Sequence, residues 1–227
     1  MIVAELKPFE EIKEMLKDYK KALILGCGSC VTVCMSGGER QVELLASALR
    51  MARKLEGEEI TIGEKTILRQ CDPEFIDQIK GEVSRYDAIL SMACGAGVQG
   101  LAEMFGNLPV LPAMNTTFIG VSDGQGRWVE VCAACGNCIL SETGGICPVA
   151  RCAKGLISGP CGGSQSGFCE VSRENPCVWQ QIYIRLAGLN KLHLLKGLSE
   201  KRKKPVRPRK LVVEEPKKKG EPKKGEK

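Results

Sequence analysis

Thirteen cysteines and a single histidine in 227 residues are the feature that most constrains this chain. Five cysteines lie in the first half, and eight lie within 46 consecutive residues of the second half. Spacings such as Cys-x2-Cys-x2-Cys favour a metal over disulfides, because several short side chains must reach one ion or cluster at once. With one histidine, the ligands must be sulfur, which indicates iron–sulfur clusters or zinc held by four thiolates. The candidate ligands are Cys27, Cys30, Cys34, Cys71, Cys94, Cys132, Cys135, Cys138, Cys147, Cys152, Cys161, Cys169 and Cys177.

Charge is concentrated at the end of the chain. Residues 200–227 carry 13 Lys/Arg and 5 Asp/Glu, a net charge of +8 against +6 for the whole chain, so the remainder is nearly neutral. This Pro- and Lys-rich segment has too few apolar residues to fold, which predicts a disordered basic tail over 199–227. We favour a role in solubility or loose docking for it over nucleic-acid binding, because the body is neutral and poor in aromatic residues.

The N-terminal segment is charged throughout, without the apolar core of a signal peptide. No run approaches the roughly 18 apolar residues of a membrane helix. We therefore expect a cytoplasmic protein without membrane contact. A reducing cytoplasm keeps thiols free, which again favours metal binding.

Strand and helix patterns alternate through the first half. Apolar periodicity predicts strands at 22–26 and 86–93, extended segments at 58–63 and 65–70, and a further strand within 109–121. Helices are expected over 8–20 and 38–55, and from Pro73 and Gly95 onward. This order predicts an α/β domain over 1–125, with a small parallel sheet flanked by helices.

Three cysteines come directly after predicted strands: Cys27, Cys71 and Cys94. In an open parallel sheet the carboxyl ends of the strands lie on one edge, where ligands bind. Cys30 and Cys34 follow Cys27 closely. One [4Fe–4S] cluster needs four thiolates, so we expect one cluster drawn from these five, with a spare that the spacing does not identify. The alternative for Cys71 and Cys94 is that they are buried apolar side chains.

Residues 126–198 have a different composition, rich in Cys, Gly and Pro until a predicted closing helix over 178–196. Such a segment buries too little apolar surface to order itself, so a bound metal must stabilise it. Ile182, Leu186, Leu189 and Leu192 are expected on one side of the closing helix.

Eight cysteines in this module fit two sites of four thiolates. In the bacterial ferredoxin run, three close cysteines bind one cluster and the cysteine before proline belongs to the other. By that logic one site comprises Cys132, Cys135, Cys138 and one distant cysteine. The second site comprises Cys147, Cys152 and two of Cys161, Cys169 and Cys177. Iron is favoured for at least one site, and zinc stays the alternative at the second.

The glycine-rich stretch after Cys94 lacks the spacing of a dinucleotide-binding fingerprint, so we expect close backbone approach to the cluster instead. No Ser-His-Asp or paired-carboxylate pattern indicates an active site of its own.

Several segments closely resemble the methylenetetrahydrofolate reductase C-terminal family, over about residues 1–195. The segments are LGCGSCVTVCMSGGE (25–39), SMACGAGVQ (91–99), PAMNTTFIG (112–120), CAACGNC (132–138), GGICPVARCAKGL (144–156), GPCGG (159–163) and CEV (169–171). In acetogens and related anaerobes this family supplies a small cysteine-rich subunit beside a flavin-bearing catalytic subunit.

The resemblance implies an accessory subunit in one-carbon metabolism, of the Wood–Ljungdahl type, that is not catalytic alone. It would carry two or three [4Fe–4S] clusters, with zinc as the alternative in one four-cysteine site. FMN would be bound by the partner, which reduces methylene-tetrahydrofolate to methyl-tetrahydrofolate. The complex could also include further subunits that donate electrons. The first hypothesis is electron transfer to that flavin. The alternative is a zinc-stabilised structural subunit of the same complex.

Overall fold

The computed structural model describes residues 1–198, 209 and 211, so the predicted tail over 199–227 lies outside the described residues apart from Arg209 and Leu211. The strands in the described part are β1 (Ile2–Leu6), β2 (Lys21–Cys27), β3 (Thr61–Ile67), β4 (Ala88–Met92), β5 (Val110–Pro112), β6 (Met114–Ser122) and β7 (Trp128–Cys132). The α-helices are α1 (Phe9–Met15), α2 (Cys30–Val33), α3 (Glu39–Leu55), α4 (Pro73–Asp77), α5 (Lys80–Val83), α6 (Gly95–Met104), α7 (Pro148–Arg151) and α8 (Val178–Gly188), followed by a 3₁₀ helix (Leu192–Gly197).

A four-stranded parallel sheet in the order β3-β2-β4-β5 forms the centre of the first half. This confirms the predicted parallel sheet flanked by helices. β2 is buried at every position except Lys21, as expected of a central parallel strand covered on both faces. Its register places Cys27 beside Ile67 of β3, and Gly26 beside Met92 of β4.

The helices of this half that were predicted begin close to the expected residues. Asp72 accepts a hydrogen bond from the Glu74 amide at 3.3 Å, and Pro73 is the first residue of α4. The longest helix, α3, is followed by Gly57 in the left-handed region (φ 75°). The first helix is shorter than predicted, since α1 ends at Met15.

A second, antiparallel sheet in the order β1-β6-β7 was not predicted. The single strand expected within 109–121 is wrong, because the segment divides at Ala113 into β5 of the parallel sheet and β6 of the antiparallel one. β1 lies in the charged N-terminal segment, for which no strand was predicted. Strand pairing is a long-range property, and local periodicity does not reveal which sheet a strand joins. The connection from β6 to β7 spans the predicted domain boundary at residue 125.

The end of the second half has a small core of its own, formed by Val178, Trp179, Ile182, Leu186 and Leu198. The predicted helix over 178–196 is interrupted, because α8 ends at Gly188 and Asn190 is left-handed (φ 57°). Leu189 and Leu192, expected on the buried side, are 43% and 37% exposed. No helix within the described part of the chain is long and apolar enough to cross a membrane.

Replacing Gly37 by alanine tests whether the close packing of the turn before α3 against β4 contributes to stability. A Cβ at Gly37 would lie 2.1 Å from the Met92 carbonyl oxygen and 2.8 Å from a Val31 methyl group, so G37A must displace backbone. We expect a loss of about 1–3 kcal/mol, seen as a lower thermal midpoint. The matched control is G81A in α5, where a Cβ meets nothing within 4 Å and alanine is expected to stabilise the helix by about 0.5–1 kcal/mol. An unchanged midpoint for G37A would contradict this packing.

Candidate metal centres

Four cysteines lie at one edge of the parallel sheet, and we name them the edge group: Cys27, Cys30, Cys71 and Cys94. Cys27 is the last residue of β2, and Cys30 begins α2 three residues later. Cys94 follows β4 by two residues and is the N-cap of α6. Cys71 follows the end of β3 at Ile67 by four residues. The structure thus places Cys27 and Cys94 at the ends of neighbouring parallel strands, whereas Cys71 does not directly follow a strand as predicted.

Hydrogen bonds tie the loops of the edge group together. The Gly28 amide donates to the Ile67 carbonyl at 2.8 Å, and the Ser29 hydroxyl donates to the Leu68 carbonyl at 2.8 Å. These bonds attach the loop between Cys27 and Cys30 to the segment that leads from β3 to Cys71. On the other side, the Gly95 amide donates to the Thr116 hydroxyl at 2.8 Å, which joins the start of α6 to β6.

The thiols of the edge group interact electrostatically. The pKa of the Cys71 thiol is raised, first by partial desolvation of the thiol in this otherwise exposed residue and then by the neighbouring Cys94, Cys27 and, more weakly, Cys30. Ionised thiols that repel one another in this way favour a shared cation, because a bound metal stabilises all of their thiolate forms at once.

Cys34 lies apart from this group. It is 6% exposed, and its Sγ lies 3.0 Å from the Ser36 hydroxyl and 3.8 Å from the Ala4 carbonyl oxygen. It packs in the apolar core cluster that also contains Cys27, and it is not among the residues that shift the Cys71 pKa. We therefore expect Cys34 to be the spare cysteine of the five, which spacing alone did not identify.

A second set of four cysteines lines one cavity of about 180 Å³ in the second half, and we name it the cavity group: Cys152, Cys161, Cys169 and Cys177. Cys152 and Cys177 also contact the small apolar core beside Trp179, whose indole N–H donates to the Leu156 carbonyl at 3.1 Å. The assignment of Cys147 to the second site stays a prediction. The described lining of the cavity includes all three later cysteines and lacks Cys147.

The cavity group has a charged neighbour on one side. Cys161 donates a hydrogen bond to the Glu170 carboxylate at 3.2 Å, and Glu170 also pairs with Lys154. The pKa of Glu170 is lowered by the hydrogen bonds from Lys154 and Cys161, and the pKa of Lys154 is raised, chiefly by its hydrogen bond to Glu170. A thiolate has no proton to donate, so metal binding by Cys161 must break its bond to Glu170.

The four remaining cysteines of the second half, named the loop group, are Cys132, Cys135, Cys138 and Cys147. Cys132 ends β7, and its Sγ accepts a hydrogen bond from the Ala134 amide at 3.4 Å. The loop beyond it turns through left-handed residues, Ala134 (φ 47°) and Gly136 (φ 81°). Cys147 is the N-cap of α7, which packs against β7.

Amide donors to sulfur occur in both second-half groups. The Gly163 amide donates to the Cys161 Sγ at 3.4 Å, with the same two-residue spacing as the bond to Cys132. Gly162, between them, has φ 79°, a left-handed conformation that glycine adopts without strain. Such N–H donors stabilise the thiolate form and adjust the reduction potential of a cluster bound there.

These groups are sets of residues that share an edge, a cavity or a loop. Within the described residues, no three or more His, Cys, Asp or Glu side chains form a set that could hold a metal ion as placed. The donor chemistry fits iron–sulfur clusters, because four thiols at each location match the four-cysteine requirement. The same donors also match a zinc site of four thiolates.

Comparison with known proteins bears on the second half of the chain. Residues 111–204 match the model of the family described as methylene-tetrahydrofolate reductase C terminal. The family resemblance expected from the sequence is thereby confirmed for this region, which contains β6, β7, the loop group and the cavity group. The match fits a role related to methylenetetrahydrofolate reductase. The edge group lies before the matched residues. No curated protein and no solved structure matches the chain.

Alanine replacement in the edge group is expected to remove one centre, whereas the same change at Cys34 leaves it in place. C71A and C94A should each lower the iron of anaerobically prepared protein by about four atoms per chain, and the C71A/C94A double variant should lower it no further, because one cluster is lost in every case. C34A is the control and should keep the full iron content. Iron loss in C34A equal to that in C71A would contradict the grouping.

The same logic separates the two second-half groups. Metal losses should not add when both replacements fall within the cavity group, as in C161A/C169A. They should add when one replacement falls in each group, as in C135A/C161A. Metal content per chain, measured for iron and zinc, checks this. Additive loss in C161A/C169A would place these two thiols in separate sites.

Proposed function

We propose that this chain is the iron–sulfur electron-transfer subunit of a methylenetetrahydrofolate reductase complex. The observation that supports the proposal is that four cysteines line one cavity of the second half and the pKa of Cys71 responds to three other first-half cysteines, in a chain whose second half matches this family. Three four-thiolate groups correspond to the upper expectation of three clusters. A [4Fe–4S] cluster, when bound, accepts and releases one electron at a time.

The residues of the chain have different roles at each group. At the edge group, the sheet fixes Cys27 and Cys94, and the first amides of the ten-residue helix α6 lie next to Cys94. A helix N-terminus stabilises nearby negative charge, which suits thiolates bound to a metal cluster. At the loop and cavity groups, the amides of Ala134 and Gly163 donate to ligand sulfurs, and such bonds set how easily a centre is reduced.

The exposed fractions of the cysteines support transfer between proteins. Each group has at least one exposed cysteine, namely Cys71 at the edge, Cys132 and Cys138 in the loop group and Cys161 at the cavity. Electrons therefore enter at one group and leave at another toward the partner's flavin. The catalytic step, reduction of methylene-tetrahydrofolate, belongs to the FMN-bearing partner, and further electron-donating subunits act upstream. The reducing cytoplasm that this chemistry requires is the proposed location.

Anaerobic purification with analysis of iron, acid-labile sulfide and zinc tests the proposal directly. We expect iron and sulfide in equal amounts, visible absorption that bleaches on reduction, and EPR signals of reduced clusters. Stoichiometric zinc without iron or sulfide would support the alternative, a zinc-stabilised structural subunit of the same complex, and would refute electron transfer.

Reduction of a flavin partner tests the functional step. The dithionite-reduced chain, freed of excess reductant, is mixed with an FMN-containing methylenetetrahydrofolate reductase catalytic subunit. The flavin absorbance should fall much faster than with C71A, and the C34A control should behave like the unmodified protein. Flavin reduction at the same rate by the metal-depleted chain would contradict the proposal.

A further inference from the structure

Gln70 is a fully buried polar residue next to the ligand Cys71, at 0% exposure. Its Nε2 donates to the Leu25 carbonyl oxygen at 2.7 Å, and its Oε1 accepts from the Ser91 hydroxyl at 2.6 Å. Leu25 belongs to β2 and Ser91 to β4, and Ser91 is also fully buried. The amide of one side chain therefore bridges the two central strands just below the edge group.

The chemistry of this bridge is specific to an amide. Gln70 must donate on one side and accept on the other, which a carboxylate or an apolar side chain of the same length does not do. Loss of either bond would leave a buried polar group without a partner, at a cost of about 1–3 kcal/mol. Removing one partner of the bridge should therefore cost more free energy of unfolding than the net contribution of the hydrogen bond that is lost.

Helix α6 packs closely against Gln70. A Cβ at Gly97 would lie 2.9 Å from the Gln70 Cβ. A Cβ at Gly100 would lie 3.0 Å from the Gln70 carbonyl oxygen and 3.7 Å from the Cys71 Cα. The glycine-rich stretch after Cys94 therefore allows the helix that carries one ligand to pack against the segment that carries another.

Gln70 is also the buried residue of an otherwise exposed segment, residues 68–71. β3 ends at Ile67, and Leu68, Arg69 and Cys71 are all exposed. Without strand pairing beyond Ile67, the position of Cys71 depends on contacts of the segment itself. The side chain of Gln70 supplies the deepest of these contacts.

We propose that Gln70 is the positioning residue of the edge group, holding the segment that carries Cys71 beside the other three cysteines so that Cys71 can complete a four-thiolate centre when metal binds. This inference rests on the proposed function only in that a metal centre forms at the edge group. Outer residues that orient ligands in this way typically change metal affinity by 10- to 100-fold when they are replaced.

The test replaces Gln70 by methionine, which has a similar length and no amide. In holoprotein prepared anaerobically, the rate of iron transfer to a chelator should show a fast phase, about 10- to 100-fold faster than any phase of the unmodified protein. The EPR signal of one cluster should change while the signals of the other centres stay the same. The fast phase should be absent from Q70M/C71A, which identifies it with the edge group.

Two controls separate positioning from stability. R53M removes a buried hydrogen bond from the Arg53 guanidinium to the Leu16 carbonyl (2.6 Å) far from the edge group, so it should lower the thermal midpoint without a fast phase. Q70M/S91A removes the Ser91 hydroxyl that Q70M leaves without a partner, so the midpoint should recover partly while the fast phase persists.

The outcomes are distinct. Normal iron release in Q70M, or in Q70M/S91A once stability has recovered, overturns the positioning role. If Q70M does not fold, S91A, which keeps the bond to Leu25, must release edge-group iron several-fold faster than the unmodified protein, and an unchanged rate overturns the role. If C71A and the unmodified protein contain the same metal, the premise of a centre at the edge group fails, and this inference fails with it.

Discussion

The parallel pairing of β2 with both β3 and β4 is the interaction on which the rest of the first half depends. Because β2 is a buried apolar strand with a neighbour on each side, its position in the sheet is strongly determined. Parallel register aligns the carboxyl ends of all three strands, so residues separated by up to 67 positions in the chain meet at one edge. The thiols of the edge group are there because the sheet is parallel.

The two halves place their cysteines by different physical means. In the first half, apolar burial orders the scaffold, and the thiols follow from strand ends and helix caps. In the second half, left-handed turns, short helical segments and a five-residue apolar core surround the thiols. So small a core contributes little stability, and in such segments the free energy of metal binding becomes part of the free energy of folding. If metal binds at the cavity group and the loop group as proposed, it would also contribute to the stability of this half.

Polar groups at the sheet edge connect these features. The Gln70 amide joins β2 to β4, the Ser29 hydroxyl joins the Cys27 loop to the end of β3, and Thr116 joins α6 to the second sheet. Of these, the bonds of Gln70 satisfy groups that would otherwise be costly to bury. Together they attach the segments that carry Cys27, Cys71 and Cys94 to the parallel sheet and to the second sheet.

The sequence by itself determined the parallel α/β scaffold, the strand-end positions of Cys27 and Cys94, the cap at Asp72 and the sulfur-only character of the sites. These follow from local periodicity, capping chemistry and composition, which act over a few residues. Tertiary structure alone decided that β1, β6 and β7 form a second sheet, that Cys34 is buried against Ser36 and Ala4, and that Cys161, Cys169 and Cys177 line a cavity with Cys152. Each of these depends on contacts between residues distant in the chain, and spacing along a sequence carries no information about which distant partner a side chain meets.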